Sequence, residues 1–167
     1  MKHILSVLVE NKSGVLSRVT GMISRRGFNI ESLSVAPTED ETLSRMTIIV
    51  DADKVGFEQI TKQLHKLVCV LRVSALNEEA EGGLEREMLL VKINTPNRNI
   101  REEVKTLAEI FNARIIDVNA EILTIEFVGS SADADNMLHT FKKLTDIIEV
   151  VRSGVLGIAK GSHCMRG

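Results

Sequence analysis

The sequence predicts an α+β protein made of two similar small domains, each an antiparallel sheet with helices on one face. Three observations predict it. Apolar runs of strand-like and helix-like spacing follow one another in the order strand, helix, strand, strand, helix, strand. That order occurs twice, each copy filling roughly half of the 167 residues. An acidic, glycine-bearing stretch lies between the copies.

In the first copy, Ile4 to Glu10 is apolar and partly alternating, as in a strand. Val15, Leu16, Val19, Met22 and Ile23 have helical spacing, and Arg25, Arg26 and Gly27 supply a stop signal. Ile30 to Ala36 is a second strand, Pro37 to Glu41 a polar turn, and Ser44 to Asp51 a third strand. Phe57, Ile60, Leu64 and Leu67 mark one helix face, and Val70 to Ala75 is a fourth strand.

The second copy repeats this. Met88 to Ile93 is a strand, and Ile100, Val104, Leu107 and Phe111 form a helix face. Arg114 to Val118 and Ile122 to Val128 are strands parted by Asn119-Ala120. Leu138, Phe141 and Leu144 mark a helix, and Ile147 to Arg152 is the last strand. The tail from Gly154 to Gly167 carries few signals. The order βαββαβ is the ferredoxin-like split unit. The expected division is a first domain over 1–76, a linker over 77–85 and a second domain over 86–167.

The strand faces of the first copy differ. Leu5, Val7, Val9, Leu33, Val35, Met46, Ile48, Leu71 and Val73 should meet the helices. The other face offers Ile4, Ser6, Leu8, Ser32, Ser34, Thr47, Ile49 and Ser74, with Arg72 as its clearest charge. A sheet face meant for water usually carries more charge. The expectation is that another copy of the chain covers this face or the sheet edge.

Composition excludes several functions. The formal net charge of −2 gives no basic excess for a nucleic-acid backbone. With no Trp, no Tyr and five Phe, base-stacking platforms are not expected. Cys69 and Cys164 form no spaced pair, and Met1-Lys2-His3 opens no cleavable signal, so a reduced, cytoplasmic setting is expected. No apolar run approaches the ~20 residues of a membrane helix. His3, His65, His139 and His163 lack metal-ligand spacing, Ser17, Ser44 and Ser153 lie in no nucleophile-elbow context, and no glycine-rich loop matches a nucleotide cradle. No catalytic residue and no metal site is expected.

The stretch Glu10 to Arg18 carries the functional signal. A strand turning through Asn11 and Gly14 into a helix leaves backbone N–H groups at the positive end of the helix dipole. That is a site for a small carboxylate, which Gly14 leaves unobstructed. Ser13 could instead simply cap the helix. The Asn11 amide could brace the turn or bind a ligand.

Several segments together resemble a known family. They are Ile4 to Asn11, Ser13 to Arg18, Arg26 to Leu33, Leu43 to Ile48, Gln63 to Val68, Arg86 to Lys92 and Arg152-Ser153-Gly154. In this order they resemble the small regulatory subunits of acetolactate synthase over nearly the whole chain. The resemblance implies an N-terminal ACT domain, a C-terminal ACT-like domain and a homodimer with amino-acid sites at the ACT–ACT interface. Asn11, Gly14, Val15 and Leu16 would hold the polar end of valine, and Asn29 and Ile30 of the partner chain would complete the pocket. It also implies a non-catalytic subunit that activates a large catalytic subunit and makes it sensitive to valine, in valine, leucine and isoleucine synthesis. Thiamine diphosphate, magnesium and FAD belong to that catalytic subunit, and no cofactor is expected in this chain. The alternatives are a stand-alone amino-acid sensor acting on transcription or another enzyme, and an enzyme on a ferredoxin-like scaffold.

Overall fold

The computed structural model describes residues 1–76 and 82–165. It divides into two compact units, Met1–Leu84 together with Val155–Gly167, and Glu85–Gly154.

The first unit contains β1 (Lys2–Glu10), α1 (Val15–Ser24), β2 (Ile30–Pro37), β3 (Leu43–Asp51), α2 (Lys54–Leu64) and β4 (Val70–Ala75). Its sheet has the order β2-β3-β1-β4, all neighbours antiparallel. The helix stripes read from the sequence are the buried ones. Val19 and Ile23 of α1, with Ile60 and Leu64 of α2, are fully buried against Leu5, Val7, Val9, Met46, Ile48 and Val50. Each such side chain contributes about 1.5–3 kcal/mol on leaving water. Gly27, at φ +80, ends the α1 turn in the left-handed region, and Arg26 Nη1 donates to the Met22 carbonyl at 3.1 Å.

The second unit contains most of β5 (Gly83–Asn94), then α3 (Arg98–Ile110), β6 (Arg114–Val118), β7 (Ile122–Gly129), α4 (Ser131–Leu144) and β8 (Ile147–Arg152). The strand order β6-β7-β5-β8 repeats that of the first unit. Leu89, Val91, Ile93, Leu123 and Ile125 pack under Val104, Met137 and Phe141. Two segments of the family resemblance, far apart in sequence, meet here. Glu87 is buried and accepts from Arg152 Nε at 2.5 Å and Nη2 at 2.8 Å, and Ser131 Oγ donates to it at 2.8 Å. Arg152 Nη1 also donates to Asp135 at 2.6 Å.

Three expectations are corrected. Leu71 does not face the helices. The register shifts between Leu8 and Val9, which pair with Arg72 and Val70, so Leu71 is an extra residue on the bulged strand and is 45% exposed. Val35 does share the face of its buried partner Met46, but on the edge strand β2 it is 44% exposed.

The linker does not extend to residue 85. Asn77 to Glu81 lie outside the described residues, but β5 begins at Gly83.

The tail does not stay with the second half. β9 (Leu156–Ala159) pairs with β5, and Lys160 N–H donates to the Gly82 carbonyl at 3.0 Å. The segment from Val155 crosses the quiet sheet face of the first unit. Val155 N–H donates to Ser32 Oγ at 3.0 Å, and Gly157 N–H to Thr47 Oγ1 at 3.2 Å. Part of the face expected to be covered by another copy is therefore covered by this chain. The hydroxyls that made it neutral are the groups that receive the tail's backbone donors.

Candidate functional site

The turn from β1 to α1 is tied down on two sides. Glu10 N–H donates to the Cys69 carbonyl at 3.0 Å, and Asn11 N–H to the Thr42 carbonyl at 2.7 Å. Asn11 Nδ2 donates to the Glu41 carbonyl at 2.8 Å. The β2–β3 turn that supplies the Glu41 and Thr42 carbonyls is itself braced. Asp40 Oδ1 accepts from the Thr42 hydroxyl at 2.6 Å and from Thr42 N–H at 2.9 Å, and these bonds hold the Asp40 carboxyl below its ordinary range. Of the two roles left open for the Asn11 amide, its Nδ2 performs the bracing one.

Ser13 does not cap the helix. Gly14 occupies the N-cap position at φ +82, with no side-chain hydrogen bond to the first turn. Ser13 therefore stands one residue too early for the geometry that capping needs. A Cβ on Gly14 would meet nothing within 4 Å, so the demand for glycine is conformational and the space above it is open. Among the described residues, the helices α2, α3 and α4 are capped by side chains. Asp53 accepts from Gly56 N–H, Asn97 from Ile100 N–H and Ser130 from Asp133 N–H. The start of α1 thus keeps first-turn donors without a side-chain acceptor, where the helix dipole favours an anion.

The predicted residues fall into two groups. Asn11, Gly14 and Leu16 are exposed around the α1 start, and Leu16 presents an apolar side chain at 40% exposure. The Val15 side chain is buried in the core, so it offers main chain only, and its N–H already donates to the Lys12 carbonyl at 3.3 Å. Asn29 is exposed and Ile30 half-buried, at the start of β2. Ile30 pairs with Val50, as His3 does, whereas Asn11 follows Glu10, the partner of Leu43 at the other end of β3. The run of β1 between those levels is about 27 Å. One chain does not bring the two groups together.

Sequence reasoning missed Arg45. It pairs with Leu8 and Ala36 and shares the second sheet face with Ser6 and Thr47, a position that two-residue alternation back from Thr47 indicates. Among the described residues, no group of three or more His, Cys, Asp or Glu is placed to hold a metal ion, and no helix is long and apolar enough to cross a membrane.

Comparison with known proteins assigns both halves. Residues 5–72 match the family model for the AHAS small subunit-like ACT domain, and residues 86–161 that for the small subunit of acetolactate synthase. The chain is 52% identical over 166 residues to the acetolactate synthase isozyme 3 small subunit of Escherichia coli strain K12, covering 99% of this chain and 100% of that one. It is 48% identical over 161 residues to the acetolactate synthase small subunit of Haemophilus influenzae, covering 96% and 97%. Among solved structures, the acetolactate synthase small subunit of Thermotoga maritima matches with a TM-score of 0.86 at 35% identity, covering 98% of this chain and 99% of that one.

Proposed function

The chain belongs to the acetolactate synthase small-subunit family, and on that premise we propose that it binds valine at the start of α1, activates the large catalytic subunit and imposes feedback inhibition on it. The observation that carries the valine site is the uncapped helix start at Gly14, with open space above it and the exposed Asn11 and Leu16 nearby in the chain. The valine carboxylate accepts from the first-turn N–H groups. The isopropyl group lies against Leu16.

The separation of Asn29 and Ile30 from Asn11 supports a homodimer. A second copy, placed with the start of its β2 beside this α1, completes the niche. A pocket shared by two chains binds valine in one dimer arrangement better than in another. That difference in affinity is what shifts the population, and with it the activity of the partner enzyme.

The chain brings binding and no chemistry of its own. Thiamine diphosphate, magnesium and FAD belong to the catalytic subunit in this reading. The test is reconstitution. The purified chain alone forms no acetolactate, its addition raises the turnover of the large subunit, and valine then lowers it. Equal turnover with and without the chain contradicts the reading.

A further inference from the structure

A cavity of about 190 Å³ lies within the first unit, between the second sheet face and the C-terminal segment. At about 30 Å³ per water it has room for roughly six waters, the size of a small metabolite. One wall carries Glu39 of the β2–β3 turn, Arg45 of β3 and Leu76 after β4, and the tail wall Ile158, His163 and Met165.

Arg45 is the unusual member. It is half-buried, yet its partners are neutral: Nε donates to Ser6 Oγ at 2.9 Å, and Nη2 reaches the Gly157 carbonyl only at 3.5 Å. Among the described residues, no carboxylate forms an ion pair with it within 4 Å. Burial pulls its pKa down, and the more distant Glu39 charge opposes that only in part. A guanidinium has five donors in a planar fork that matches a carboxylate.

We propose that this cavity is a second effector site, taking a small aliphatic amino acid with its carboxylate on Arg45, its ammonium toward Glu39 and its side chain among Leu76, Ile158 and Met165. The site is independent of the turn at Gly14. One wall is the tail, so occupancy and docking of the tail are linked. The ligand binds the docked tail and holds it there, and a released tail has no site.

The test uses the full chain carrying Asn11→Ala, which weakens the turn site about tenfold, titrated by calorimetry with valine, leucine and isoleucine. At least one of the three is expected to bind at one per chain and to slow hydrogen exchange over residues 155–159. Adding Arg45→Met should weaken that binding at least tenfold. Adding Glu39→Gln, at an exposed position, should weaken it several-fold. Binding unchanged by both substitutions, or no binding by the Asn11→Ala chain at millimolar ligand, overturns the proposal. The turn site fails on a different result, valine affinity equal in the unsubstituted and Asn11→Ala chains.

Discussion

Asn11 donates its side-chain amide to the Glu41 carbonyl at 2.8 Å, tying the turn before α1 to the turn between β2 and β3. Together with the Asn11 main-chain bond to Thr42, this fixes the backbone that presents Gly14. An effector bound at the helix start then meets a preorganised loop.

Asn11→Ala should therefore weaken valine binding about tenfold, the worth of one to two hydrogen bonds, while activation of the catalytic subunit persists. Calorimetry on the isolated chain and turnover of the reconstituted enzyme measure the two effects separately. Loss of activation in a normally folded dimer would contradict the separation of roles.

Gly14→Ala places a Cβ in open space but in the left-handed region at φ +82. The expected cost is about 1–2 kcal/mol of stability, read as a lower urea midpoint for the first unit. Valine affinity should fall as the turn relaxes. Gly14→Asn should be milder, since Asn tolerates that conformation better.

Arg152→Ala leaves Glu87 buried with its main partner gone. The expected loss is about 3 kcal/mol in the second unit, the low end for a broken buried pair because Arg152 is itself 36% exposed. Arg152→Lys should restore little, since it cannot make two parallel bonds.

The same pair sets a pH dependence. The Arg152 hydrogen bonds hold the Glu87 carboxyl below its ordinary value of 4.5. The folded state then binds fewer protons than the unfolded state between the two pKa values. The stabilisation is complete above about 4.5 and is lost as pH falls through the depressed folded value. Urea midpoints from pH 7 to pH 3 should fall more steeply in the unsubstituted chain than in Glu87→Gln. Parallel slopes would show that Glu87 is not the titrating group.

Gly157→Val should release the tail. A Cβ there would come within 2.4 Å of Leu76 Cδ1 and 3.3 Å of Thr47 Cγ2. Faster hydrogen exchange over residues 155–159, with the rest of the first unit unchanged, is the expected result.

Much of this fold was legible in the chain. The stripes Val19–Ile23 and Phe57–Ile60–Leu64 follow from helical periodicity, and the inward strand residues from alternation. The failures have local causes. The register shift at Val9 exchanges Val70 for Leu71, and a pattern of period two cannot announce one extra residue. The tail escaped notice because its strand is four residues long, with Leu156 and Ile158 exposed. Its docking uses backbone donors, which every sequence has. The quietness of the Ser6, Ser32 and Thr47 face was visible, but not which chain covers it. In the candidate site, the need for glycine at position 14 was legible, whereas the distance between Asn11 and Ile30 required the register.

The most direct test of the valine site is a crystal structure of the full chain grown with valine. The account predicts the ligand at the start of α1, its carboxylate on the N–H groups following Gly14, and Asn29 and Ile30 of a second copy closing the niche. An empty helix start at saturating valine, or one closed by the same chain, would contradict it.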